Sequence, residues 1–175
     1  MDSDREILLK TAKFRVVRRK ETLPDGSMHT RDVVEHPGAV AIVPMLDEHH
    51  VCLIQNVRVA VGETLIELPA GTLEPNEDPR ETARRELAEE TGYRATSMTP
   101  LCECYMSPGI LQERMHLFLA TDLTLGEKAL ETGEQIQTLV VSWSEAMQMA
   151  ADGRIHDAKS LVGLFYYDRL RQDEF

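Results

Sequence analysis

The stretch GTLEPNEDPRETARRELAEETGY, Gly71 to Tyr93, decides how the rest of the chain is read. Asp78 stands where a helix N-cap belongs, Pro79 suits the first helical position, and Glu81 falls three residues past the cap, where a capping box places an acid. Gly92 supplies the left-handed stop. A helix is therefore predicted over residues 79 to 91. At about 100° per residue Glu86 and Glu90 lie one above the other with Glu89 close beside them, while Ala83 and Leu87 form the neighbouring apolar stripe. The carboxylates thus sit at the edge of the buried face, where each like-charge pair costs about a few tenths of a kcal/mol and screening is poor. Arg85, four residues before Glu89, relieves part of this strain and leaves Glu86 against Glu90. Either the face is simply solvated, or a hard cation that takes oxygen ligands, such as Mg²⁺, rests on it.

Working outward, the N-terminal FRVVRRKETLPDGSMHTRDVVEH reads as two extended segments, about 14 to 20 and 28 to 35, joined by Pro24, Asp25 and Gly26. Such a hairpin is marginal alone, so it packs on the domain or on a second subunit. After Pro37 and Gly38 come the strand-like AVAIVPML, HVCLIQNVRV and TLIELPAG, then the helix, strands around 99 to 106 and 114 to 121, and an acidic loop near 126 to 135. The strand IQTLVVS and helices at about 143 to 152 and 157 to 171 close the chain. The expected organisation is an N-terminal β arm, 1 to 36, and an α/β domain, 37 to 175, with a mixed sheet and helices packed on it.

A chain of 175 residues with 42% hydrophobic content is long enough to bury one core. The formal net charge of −11 argues against nucleic acid as a partner, because that affinity comes from Lys and Arg on phosphates. An acidic protein still handles an anionic substrate when divalent ions bridge the two. There is no apolar run of about 18 residues and no charged-then-apolar leader, so the expectation is a cytoplasmic protein without a membrane span. Cys52, Cys102 and Cys104 lack the spacing of a zinc site and read as packing thiols.

The same 23-residue stretch resembles the Nudix hydrolase signature, Gx5Ex7REUxEExGU with U a bulky apolar residue, at Gly71, Glu77, Arg85, Glu86, Leu87, Glu89, Glu90 and Gly92. Only Tyr93 departs, where a branched aliphatic residue is commoner. The resemblance implies an α/β/α sandwich that hydrolyses a nucleoside diphosphate linked to another moiety, with Mg²⁺ or Mn²⁺ as cofactor. By motif position it implies Glu86 and Glu90 as metal ligands, Glu89 as a ligand or close support, and the Ala70 carbonyl as a further ligand. Arg85 would orient a glutamate, and Glu77 would steady the loop.

Beyond the signature, from about Arg31 to Tyr167, the chain looks like the ADP-ribose pyrophosphatase subgroup. ELPAG, beginning at Glu67, leads into the signature, and YMSPGILQERMHLFLA follows it, with Pro108 sixteen residues beyond Gly92. On that resemblance Glu67, Pro108, Gly109 and Glu113 fall on the substrate side. Arg58 and Arg31 match arginines there, with forked geometry suited to phosphate. Asn56 and Val57 replace the Gln and Tyr more usual before Arg58, which removes the basis for assigning base or ribose contacts to them. In the subgroup the arm is exchanged or packed across a homodimer, so Arg31 would serve the partner's site. A general base is implied on the loop before the last strand, at Glu134, with Glu131 as the alternative. Hydrolysis of ADP-ribose to AMP and ribose 5-phosphate is the leading expectation. A broader nucleoside diphosphate sugar pyrophosphatase, acting for example on GDP-mannose, and a non-catalytic nucleotide-sensing module are the alternatives; an mRNA decapping role is disfavoured by the charge.

Overall fold

The computed structural model describes residues 5–130 and 135–173. Asp78 has extended backbone (φ −70°, ψ 131°) and its carboxylate accepts from the Arg80 N–H at 2.8 Å, opening helix α1 (Pro79–Thr91). Gly92 closes it in the left-handed region (φ 80°), its N–H donating to the Ala88 carbonyl. Both caps fall where the sequence puts them.

The N-terminal region departs from the expected hairpin. Strands β1 (Arg5–Lys10), β2 (Arg15–Thr22) and β3 (Met28–Glu35) form a three-stranded antiparallel sheet in that order. The β2–β3 turn is the predicted one, with Gly26 at φ 81°. The extra strand exists because the Thr11 hydroxyl accepts from the N–H groups of Lys13 and Phe14 and donates to the Phe14 carbonyl, a local turn that folds β1 back along β2 without glycine or proline. The sheet is tied to the remainder through Val34, whose N–H donates to the Ile110 carbonyl and whose carbonyl accepts from the Gln112 N–H, both at 2.8 Å.

The centre is a mixed sheet. Strand β4 (Ala39–Pro44), buried along its whole length, pairs in parallel with β9 (Arg114–Leu125) and antiparallel with the short β7 (Ala70–Thr72). Strand β8 (Tyr93–Tyr105) adds antiparallel on the far side of β9, giving the order β7-β4-β9-β8. It begins directly after Gly92, earlier than the sequence suggested, and carries a bulge between Pro100 and Cys102. A second, antiparallel sheet has the order β10 (Ile136–Ser142), β5 (His50–Arg58), β6 (Glu63–Glu67).

Alternation along β4 sorts the helices into layers. Val40 and Ile42 cluster with Ala83 and Leu87 of α1, and burying Leu87 completely is worth roughly 1.5–3 kcal/mol. Val43 faces the other way, against Leu164 of α3 (Ala158–Asp173) and Ala146 of α2 (Trp143–Ala151). Close approach there requires Gly163, since a Cβ on it would stand 2.5 Å from Leu68 Cδ1. This is the expected α/β/α sandwich. All three cysteines are free, and burial pushes the Cys52 thiol up to about 12, as a packing role implies. Among the described residues no helix is long and apolar enough to cross a membrane.

Candidate active site

The helix that opens the sequence argument buries a carboxylate. Glu90 is 2% exposed, and its Oε2 accepts from the Ala70 N–H at 2.9 Å, so α1 and β7 are joined through a charged group. Placing a carboxylate there costs several kcal/mol unless it is well partnered, which is not how a chain selected for stability alone would build a helix face. Glu86 lies against Gly71 so closely that an added Cβ would stand 1.9 Å from its Cδ. The signature glycine is thus an absence of side chain that admits the Glu86 carboxylate.

Arg85 gathers the remaining acids. Its Nη1 donates to Glu86 Oε1 at 2.8 Å and to Glu89 Oε2 at 2.9 Å, while Nε and Nη2 fork onto Glu77 at 3.1 and 3.2 Å. That fork, helped by Thr82 and the Glu74 N–H, outweighs desolvation and holds the Glu77 carboxyl at about 2. Arg85 in turn is held more firmly charged, chiefly by Glu77. The expected Arg85–Glu89 pair is present as one arm of this network, and Glu77 fastens the preceding loop to the helix.

Glu86, Glu90, Ala70 and Gly71 line a cleft of about 710 Å³. Glu89 is turned to the outer side, beside Arg84 and Arg94. The opposite wall comes from the arm: Arg5, Arg15 and Arg19 converge on Glu35, at 3.5 Å for Arg15 and 2.8 Å for Arg19, and Lys10 and Lys13 stand at the β1–β2 turn. Arg58 also lines the cleft. Its Nε and Nη2 fork onto the fully buried Glu67 at 2.8 and 2.6 Å, and this pairing is the main reason its guanidinium is held charged. Glu67, expected on the substrate side, therefore reaches the cleft only through Arg58.

The donors fit a hard divalent ion. Glu86, Glu89 and Glu90 offer only oxygen, and the Gly71 cradle leaves the Glu86 carboxylate room beside Ala70. Among the described residues no three acidic, His or Cys side chains form a ready chelate, since Arg85 holds Glu86 and Glu89.

The other predicted residues lie further out. Pro108 and Gly109 are exposed in a turn whose Ser107 carbonyl accepts from Ile110 and Leu111. Glu113 stands 3.4 Å from His36 Nδ1, and His36 lines the cleft, so Glu113 is one side chain removed from it. Arg31 pairs with Glu21 at 3.2 Å on the arm, outside the cleft lining. Glu131 and Glu134 lie outside the described residues; the flanking Ala129 donates its N–H to the Glu89 carbonyl at 3.2 Å, and Ile136 pairs with Asn56. Sequence reasoning missed the arm's basic wall, although its Arg and Lys density was visible.

Residues 35–162 match the profile of the NUDIX domain. The chain belongs to the NUDIX family. It is similar to the ADP-ribose pyrophosphatase of Bacillus subtilis strain 168, at 37% identity over 146 residues, 82% of this chain and 79% of that one. It is also similar to the methanol dehydrogenase activator of Bacillus methanolicus, at 38% identity over the same shares of each chain. Among solved structures it resembles the crystal structure of an ADP compounds hydrolase, with a TM-score of 0.85 and 23% identity, covering 98% of this chain and 94% of that one. The sandwich fold and the Nudix hydrolase class expected from residues 71 to 93 are both borne out.

Proposed function

We propose that this Nudix hydrolase cleaves the pyrophosphate linkage of ADP-ribose, giving AMP and ribose 5-phosphate, with Mg²⁺ or Mn²⁺ as cofactor. The observation that carries the reading is the sharing of one cleft by Glu86 and Glu90, the Ala70 backbone and the Arg58 guanidinium. The ADP-ribose pyrophosphatase relative, alike over most of both chains, supports the choice of substrate.

In this reading Glu86, Glu90 and the Ala70 carbonyl hold the divalent ion, with Glu89 completing or supporting the set. Bound there, such an ion neutralises charge on the pyrophosphate oxygens and lowers the pKa of water. Arg85 keeps the glutamates in place, and Arg58 presents its remaining N–H groups to the diphosphate. A glutamate of the 126–135 loop, Glu134 or else Glu131, takes the proton from the attacking water. One P–O bond forms and the bridging P–O bond breaks, leaving two phosphate monoesters. Pro108, Gly109 and Glu113 select the moiety beyond the diphosphate. The arm, residues 1 to 36, pairs two copies of the domain, residues 37 to 175, so that Arg31 serves the partner's cleft. Three free thiols accord with a reducing cytoplasm.

A substrate panel with Mg²⁺ tests this. ADP-ribose should be split fastest, with AMP and ribose 5-phosphate appearing in equal amounts. Preference for GDP-mannose would transfer the assignment to a broader nucleotide-sugar pyrophosphatase. Tight calorimetric binding of ADP-ribose without turnover in either metal would make the protein a sensor.

A further inference from the structure

Behind Arg58 lies a buried cluster that the proposed chemistry does not use. Glu67, at the end of β6, has no exposed surface, yet two cations share its carboxylate. Arg58 forks onto both oxygens, and Lys159 of α3 donates to Oε2 at 2.6 Å. Lys159 is 7% exposed and makes a second bond, to Asp157 Oδ2 at 2.8 Å. That oxygen is fixed by the Ser160 N–H at 3.1 Å and the Ser160 hydroxyl at 2.6 Å, and the same hydroxyl oxygen accepts from the Leu68 N–H at 2.7 Å. Burial opposes the charge on Asp157, and Lys159 with the Ser160 bonds more than offsets it.

The circuit runs from α3 through Lys159 to Glu67 and from Glu67 to Arg58, then returns through Leu68 and Ser160. A lysine costs several kcal/mol to bury unless paired, and packing here could be served by a neutral side chain of similar length. What an apolar side chain, lacking a donor, could not do is hold the Glu67 carboxylate in one plane while Arg58 forks onto it. An arginine fork is directional, so the plane of its acceptor sets the direction of the guanidinium's free edge. Arg58 itself lines the cleft shared with Glu86 and Glu90, so its direction bears on what that cleft can hold.

We infer that Lys159 is a positioning residue, which through Glu67 aims the Arg58 guanidinium at the diphosphate of the bound nucleotide. This rests on the assignment of Arg58 to the diphosphate, and it concerns binding orientation, not the identity of the sugar. Lys159 touches no substrate. Its effect passes wholly through Arg58, which separates it from a residue that merely stabilises α3.

The test is a double-mutant cycle on the full chain with two readouts: the calorimetric Kd for ADP, which needs no turnover, and KM and kcat on the best substrate. Lys159→Met should weaken ADP binding and raise KM by about tenfold with a smaller change in kcat, and Lys159→Arg should restore most of the loss. In an Arg58→Lys background, Lys159→Met should change Kd by less than about twofold. Additive effects in that cycle, or an unchanged Kd in folded Lys159→Met, would overturn the inference. If Lys159→Met fails to fold, Ser160→Ala, which frees Asp157 and Leu68, takes its place with the same coupling expected in weaker form. Should ADP-ribose prove not to be hydrolysed, the ADP arm still decides the coupling, so failure of the substrate assignment and failure of this inference are seen separately.

Discussion

On the α1 side three carboxylates, Glu77, Glu86 and Glu89, bond one guanidinium, that of Arg85, and a fourth, Glu90, is buried against Ala70; on the arm side three guanidiniums, Arg5, Arg15 and Arg19, converge on one carboxylate, Glu35. The Arg58 cluster is balanced, with Glu67 and Asp157 against Arg58 and Lys159. A fold under selection for stability alone would favour balance everywhere, because unmatched buried charge is costly. Two opposite imbalances lining one cleft suit a ligand made of a cation and a polyanion. In the proposed function the acidic wall is the seat of the first and the basic wall attracts the second.

The sharpest way to break this comparison is Glu90→Gln. The amide oxygen can still accept from the Ala70 N–H, so the fold should survive while one charge leaves the acidic wall. Metal-dependent turnover should fall by about three orders of magnitude, the scale of losing one electrostatic contact to a transition state, with little change in Tm. A near-normal kcat would remove Glu90 from the metal set.

A smaller effect comes from Gly71→Ala, which changes no charge. The new methyl must displace the Glu86 carboxylate, and a shift of about 1 Å in a catalytic group costs on the order of 100-fold in rate. Electron paramagnetic resonance of Mn²⁺ should show weaker binding in parallel. Unaltered Mn²⁺ affinity would mean that the wall depends on charge count and not on placement.

The smallest expected effect is on stability in acid. The Glu77 carboxyl lies at about 2, below its ordinary 4.5, so its pairing stabilises the fold fully above about pH 4.5 and is lost as pH falls through 2. Glu35 is lowered in the same sense, first by Arg5. Urea unfolding followed between pH 5 and 2 should therefore show stability falling with pH, less steeply in Arg85→Met. In Arg5→Met the Glu77 part should persist. Identical pH slopes in wild type and Arg85→Met would show that the acidic wall is not organised by Arg85.

How much of this was legible in advance depended on distance along the chain. The α1 boundaries could be read to the residue because Asp78, Pro79 and Gly92 act locally. The Arg85–Glu89 pair is likewise local, four residues apart. Strand β1 was missed because its turn relies on the Thr11 hydroxyl in place of glycine or proline, and the apolar run Ile7, Leu8, Leu9 does not alternate. The start of β8 was hidden by polar residues and by Pro100, which the bulge accommodates. Glu67 could be noticed beside the signature, but its burial and its bond to Lys159 span 92 residues and have no sequence pattern. Glu86 against Gly71 is intermediate: the motif named both residues, and only the fold shows why one needs the other's missing side chain.

The bond from the Leu68 amide to the Ser160 hydroxyl ties a chain segment near the cleft to the rear helix, and the bare flank of Gly163 lets Leu68 nestle against that helix. Neither partner can then loosen without the other. In deuterium exchange the Leu68 and Ser160 amides should open together as one cooperative unit, so that heat or denaturant applied to the back of the molecule is felt at its mouth.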